Sequence, residues 1–170
     1  MRDATDLGAS LYVPATRPDL HRIVSGELLH TIRSVIFCTE DSVKSADLPL
    51  ALNNLRMALA ASPCGKAQIR FVRVRNPQVM KEVLAMPGVD ALDGFVLPKV
   101  TKSGLLEYVK VLRGRHHMIM PTLETREVFE EREMISLRRI LEQELLRESV
   151  LSLSIGGNDL MSLIGLRRPR

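Results

Sequence analysis

The chain has 170 residues, 45% apolar and 26% charged, a composition that fits one soluble globular domain with its own core and excludes a disordered, collagenous or coiled-coil chain. A net charge of +4 remains from 24 Lys and Arg against 20 Asp and Glu. Much of the excess sits in Arg167, Arg168 and Arg170, and no basic helix with interleaved aromatics accompanies it, so nucleic acid is not an expected partner.

The opening MRDATDLGAS lacks the apolar stretch of a signal peptide. No run of about 18 apolar residues is present to span a membrane. Cys38 and Cys64 have neither zinc-site nor disulfide spacing, which fits a reducing cytoplasm.

In chain order, a first strand is expected at 9–13 (ASLYV) and a second at 34–38 (SVIFC). A helix over 46–61 follows, with Leu48, Leu52, Leu55 and Leu59 on one apolar stripe. The third strand is 69–74 (IRFVRV), and after it NPQVMKEVLAM reads as a helix capped by Asn76, with Pro77 at its first position and Gly88 beyond its end. GFVLPK at 94–99 is the fourth strand, and LLEYVKVL forms a helix around Leu105, Val109 and Leu112. HMIMPTL at 117–123 is the fifth strand. The charged run 126–148 reads as one or two solvent-facing helices with Ile140 and Leu141 inward, and VLSLSI at 150–155 is the sixth strand. A last helix opens at GGNDL, with Asn158 as its cap.

Near-continuous apolar strands alternating with helices predict a parallel sheet buried on both faces, either doubly wound or a (β/α)₈ barrel. Period alone does not separate the two. No glycine-rich dinucleotide fingerprint follows the first strand, and Gly65-Lys66 lacks the rest of a phosphate loop, which weakens the nucleotide-binding sheet.

Such folds gather chemistry beyond the carboxyl ends of their strands. Those ends here carry Arg17, then Glu40 and Asp41, then Arg73 and Arg75, then Lys99, then Glu124, and finally Asn158 and Asp159. Glu124 and Asp159 come from adjacent ends and suit Mg²⁺, a hard ion that takes oxygen ligands and keeps open positions. Arginine grips a carboxylate through two parallel hydrogen bonds, so the set describes a site for a small dicarboxylate or keto acid.

Other residues are read more plainly. His116 and His117 open the fifth strand at the end far from this site, where consecutive side chains point to opposite faces, and are not expected to be ligands. Cys38 has no paired histidine and reads as a small buried hydrophobe. Lys99 is chemically capable of a Schiff base.

The segments LYVPATRPDL, FCTEDSV, FVRVRNP, GFVLPKV, PTLETREVF and IGGNDL resemble, in order and spacing, the characteristic segments of the citrate lyase β-subunit and malyl-CoA lyase family within the HpcH/HpaI aldolase superfamily. The resemblance implies a (β/α)₈ TIM barrel and a Mg²⁺-dependent carbon-carbon lyase or aldolase acting on a 3-hydroxy acid or its CoA thioester. It implies Glu124 and Asp159 as metal ligands and Arg73 as the group holding the substrate carboxylate, with Lys99 as an orienting cation instead of a Schiff base. Glu40 and Asp41 correspond to the family's acidic pair, and Arg17 falls where some relatives touch coenzyme A phosphates. The chemistry is coherent, because cleavage leaves an enolate that Mg²⁺ and arginine stabilise.

Cys38 and Thr39 stand where the family has Asp-Leu, and Arg75 is an additional arginine before Asn76, so either Arg73 or Arg75 is expected to face the site. Side-chain alternation would put both on one face. Six of eight β-α units are visible, so residues 1–170 are expected to form a single incomplete barrel domain, truncated or completed by another chain, with a homo-oligomer as the expected assembly. The competing reading is a non-catalytic barrel that binds a small carboxylate or serves in an assembly.

Overall fold

The computed structural model describes residues 3–61 and 68–166. Cys64, the Gly65-Lys66 pair and the terminal arginines lie outside the described residues. The strands are β1 (Ser10–Pro14), β2 (Ser34–Cys38), β3 (Ile69–Arg73), β4 (Gly94–Leu97), β5 (Met118–Leu123) and β6 (Ser154–Ile155). The helices are α1 (Leu20–Val24), α2 (Leu48–Ala60), α3 (Pro77–Leu84), α4 (Lys102–Leu112), α5 (Glu131–Leu141), α6 (Glu144–Arg147) and α7 (Gly157–Leu163). Every neighbouring pair of strands is parallel and the sheet order is β1-β2-β3-β4-β5-β6. A doubly wound sheet reverses its strand order part-way. This one never does, so the sheet is an arc of a barrel wound in one direction.

Alternation of side chains in the register divides the core in two. Val13, Phe37, Val72, Phe95 and Ile119 share one row, and all pack outward against the helices. Ile36, Phe71, Val96 and Met120 point to the other face and form a smaller inner core. Burial on both faces is why these strands read as continuous apolar runs. Gly94 lies between Phe71 and Met118 in the register, and a Cβ there would overlap the Met118 carbonyl and press on the Phe71 ring.

Helix ends follow local chemistry. Asn76 accepts a 2.9 Å hydrogen bond from the Val79 amide and Pro77 occupies the first turn of α3, while Thr101 caps α4 by accepting from Gly104.

Several expectations change. Residues 20–24 form α1, a short helix that the spacing did not signal, with Leu20, Ile23 and Val24 buried. The run 150–155 is not one strand. Val150 bridges Ile119, and pairing resumes only at Ser154 with Thr122, with one residue more on the β6 side, a bulge that shortens β6 to two residues. α7 starts at Gly157 with Gly156 in the cap position, so Asn158 lies inside the first turn and does not cap it. His116 and His117 precede β5, and their rings stack with centroids 4.4 Å apart instead of pointing to opposite faces. No helix among the described residues is long and apolar enough to cross a membrane.

Candidate active site

The inner register row of Pro14, Cys38, Arg73, Val96 and Met120 ends at the carboxyl edge of the sheet. Arg73 is the charged residue in that row, and it is buried. Its Nε donates to Glu40 Oε2 at 3.0 Å, and its Nη2 lies 2.8 Å from Glu40 Oε2, 2.9 Å from Asp41 Oδ2 and 3.1 Å from Glu124 Oε1. Carboxylates from two strand ends thus converge on one guanidinium, whose fixed fork of donors suits it to hold them. Burial works against the charge on Arg73, yet Glu124 and Glu40 outweigh it and hold its pKa above the ordinary arginine value.

Lys99 closes the other side. Its φ of 50° puts a side-chain-bearing residue in the left-handed region, a conformation that persists where the surroundings impose it. In that pose its backbone amide donates to Glu124 Oε1 at 2.8 Å while its ammonium donates to Glu40 Oε1 at 2.6 Å. Burial pushes Glu40 up, but the side-chain hydrogen bonds with Lys99 and Asp41 and the charge of Arg73 bring its pKa down to about 2. Asp41 moves the other way, raised by burial and by Glu40 beside it.

Glu124 is buried, and its pKa is raised, first by burial and also by the charges of Asp159 and Glu40, against the Lys99 amide and Arg73. Asp159 enters from the first turn of α7. The loop before it is tied down by the Gly156 amide, which donates to Leu123 O at 3.0 Å. Gly156 lies so close to Glu124 that a Cβ would overlap the carboxylate. A cavity of about 400 Å³ opens here, bordered by Tyr12, Asp41, Arg73, Thr122, Glu124 and Asp159 among others.

Glu40, Asp41 and Glu124 share the cations Arg73 and Lys99, with Asp159 close by, and this excess of acid adds to burial, the larger influence, in pushing Glu124 and Asp41 upward. All the donors that Glu124 and Asp159 offer are carboxylate oxygens, a set suited to a hard divalent cation. A dication would balance the charge that burial penalises.

Arg75 does not join this cluster. β3 ends at Arg73, so strand alternation does not extend to it. Its guanidinium donates to the carbonyls of Thr39, Glu40 and Val43 and to Ser45 Oγ, bracing the loop that carries the acidic pair. Thr39 is a second brace, donating through both its amide and its hydroxyl to Arg73 O. Arg17 pairs bidentately with Asp19 at 2.8 and 2.6 Å and does not border the cavity. Cys38 is buried, and its sulfur accepts from the Glu40 amide.

Four cavity residues were missed from the sequence, Tyr12, Thr122, Ser154 and Ile155, of which the first two bear on the cavity's chemistry. Tyr12 lies on the inner face of β1 in register with Ile36, and burial raises the pKa of its hydroxyl against the opposing influence of Arg73. Thr122, two residues before Glu124, keeps a buried hydroxyl without a hydrogen-bond partner. Their positions in the alternating register were the available signal.

Solved structures with this fold include Haloferax volcanii malate synthase in a lead(II) complex, with a TM-score of 0.73 and 16% identity over 94% of this chain and 53% of that one. The citrate lyase β subunit of M. tuberculosis complexed with oxaloacetate and magnesium gives a TM-score of 0.63 and 21% identity, covering 95% of this chain and 63% of that one. A Mycobacterium tuberculosis CitE complex with magnesium, acetoacetate and coenzyme A gives a TM-score of 0.63 and 21% identity over 95% of this chain and 52% of that one. The chain spans less than two thirds of the length of each. No curated protein sequence matches it. The sequence model of the C–C bond lyase family of the TIM-barrel fold matches residues 1–170, and the chain belongs to that family.

Proposed function

We propose that this chain carries the metal and carboxylate-binding half of a Mg²⁺-dependent carbon-carbon lyase or aldolase, acting on a 3-hydroxy acid or its CoA thioester. The observation that carries this reading is the pairing of Glu124 with Asp159 at the rim of a cavity that Arg73 also borders. Glu124 and Asp159 would hold the ion, which when bound supplies electrophilic stabilisation of the negative charge that develops next to the breaking bond. Arg73 Nη1 lies outside the ion pairs made by Nε and Nη2, and is the group we assign to the substrate carboxylate. Glu40 and Asp41 hold Arg73 in place, Lys99 orients Glu124 and Glu40, and Tyr12 covers the cavity from β1.

The solved relatives' complexes with magnesium, oxaloacetate, acetoacetate and coenzyme A support the same substrate class. Arg17, exposed and paired with Asp19, is the weaker candidate for a CoA phosphate. Exposed Leu11 on β1, a strand at the edge of the sheet, supports a homo-oligomer.

The test is turnover. Wild-type protein with Mg²⁺ is incubated with a panel of 3-hydroxy acids and 3-hydroxyacyl-CoA thioesters, and cleavage products are quantified beside Glu124→Gln and Asp159→Asn. Cleavage by wild type and its loss in both variants is the expected result. A protein that binds Mg²⁺ and carboxylate at this site yet cleaves none of the panel is instead a ligand-binding barrel.

A further inference from the structure

At the opposite end of the sheet, Asp90, His116 and His117 bring one ligand atom each to within 4.8 Å of one another. Asp90 belongs to the 3₁₀ turn Val89–Ala91 that leads into β4, and the two histidines lead into β5. His117 is 1% exposed. Its Nε2 lies 3.3 Å from Val89 O. A carbonyl only accepts, so that contact requires the proton on Nε2 and leaves Nδ1 bare. Nδ1 is buried and has no hydrogen-bond partner in the structure, an arrangement that costs free energy unless something fills it. An imidazole whose second nitrogen donates to a backbone carbonyl is the usual support of a metal-bound histidine.

We propose that Asp90, His116 and His117 form a second metal site, for a borderline divalent transition ion such as Zn²⁺, distinct from the carboxylate site at the other end of the strands. Two imidazoles and one carboxylate select that class over Mg²⁺, which prefers an all-oxygen set. His117 is fixed by Val89 and by Phe95, whose ring lies 5.4 Å away. Asp90 and His116 are exposed and have the freedom to close on an ion, and for this His116, whose ring stacks on that of His117, must swing out of the stack so that its nitrogen points to an ion in the plane of the His117 ring. The open cleft beside them, about 540 Å³, also carries Arg115, whose charge opposes an ion, and Glu148, whose charge favours one. Bound there, the ion would tie the approach to β4 to the approach to β5. From His117 to Glu124 the chain runs about 20 Å along β5, so this site does not depend on the lyase reading.

Zn²⁺ is titrated calorimetrically into the full chain in excess Mg²⁺, with His116→Ala, Asp90→Ala and Glu124→Gln alongside. One saturable equivalent is expected in wild type, weakened at least tenfold in His116→Ala and in Asp90→Ala and unchanged in Glu124→Gln. Zn²⁺ should also raise the melting temperature of wild type but not of His116→Ala. Because His116 and Asp90 are exposed, both variants should fold, and circular dichroism checks this. Absence of a saturable site, equal binding by His116→Ala, or loss in Glu124→Gln instead would overturn the proposal.

Discussion

Arg73 Nη2 and Glu124 Oε1 lie 3.1 Å apart, an arginine at the end of β3 reaching a carboxylate at the end of β5 across the strand between them. The contact joins the proposed substrate-holding group to a proposed metal ligand, and both are buried. Removing Arg73 would leave Glu40, Asp41 and Glu124 facing one another with only Lys99 to offset them. Breaking a buried ion pair from one side typically costs about 3–5 kcal/mol. Arg73→Ala is therefore expected to lose stability of that order in urea unfolding. Arg73→Met, which keeps the apolar stem, should recover part of it without restoring turnover.

The two buried carboxylates respond to pH with opposite signs. Glu40 is depressed to about 2. Its contribution to stability is complete above the unfolded carboxylate value of about 4.3 and is lost as pH falls through about 2. Glu124 is raised, so its ionisation near neutral pH costs stability, and the cost is relieved as pH falls through a folded pKa above 4.5. Thermal melts of the metal-free protein across the acid range should therefore show Glu124→Gln more stable than wild type near neutral pH. Glu40→Gln should be less stable there, with the difference disappearing toward pH 2. In wild type, Mg²⁺ affinity should begin to fall at a higher pH than an ordinary glutamate would dictate.

The parallel β-α order and the residues at the strand ends were legible in the sequence because parallel strands buried on both faces leave continuous apolar runs, each stopped by the polar residue that begins its loop, whereas the barrel winding, which the runs leave open, came only from the resemblance. Glu40, Asp41, Arg73, Lys99 and Glu124 all fall at such stops, and the structure brings them within hydrogen-bonding reach. The direction of Arg75 was not legible, because alternation holds only while the strand lasts and β3 ends two residues earlier. The same limit applies to His116 and His117, which precede β5. The break in the sixth strand depends on a one-residue bulge that alternation along 150–155 conceals.

Arg75 supplies a prediction that separates bracing from substrate contact. Its guanidinium donates to the partly buried backbone carbonyls of Thr39 and Val43, which an alanine would deprive of that donor, and is a second donor to Glu40 O, which also accepts from the Val43 amide. A lost hydrogen bond of this charged kind is worth about 1.5–3 kcal/mol. Arg75→Ala should destabilise by that order in urea unfolding and lower turnover by loosening Glu40 and Asp41, while carboxylate affinity falls far less than in Arg73→Met. Equal losses of affinity in the two variants would place Arg75 in the substrate site.

Gly156 tests whether the closeness of the last loop to Glu124 is functional. The backbone there approaches the Glu124 side chain so closely that an alanine Cβ would meet its carboxylate and its Cβ. One of the two must move. Glu124 is held by the Lys99 amide and by Arg73, whereas the loop is held to β5 by the Gly156 amide on Leu123 O. The loop should therefore yield and carry Asp159 away from Glu124. Overpacking of this kind costs about 1–3 kcal/mol, and a displaced ligand weakens a metal site by more than that cost alone. Gly156→Ala is expected to lower Mg²⁺ affinity at least tenfold in calorimetry while melting about 2–12 °C below wild type, as that cost dictates for a chain of this length. Gly157→Ala makes the comparison, since a Cβ at Gly157 meets nothing within 4 Å. It should bind Mg²⁺ as wild type does, and a loss equal to that of Gly156→Ala would show that the loop's own flexibility, not its approach to Glu124, sets the affinity.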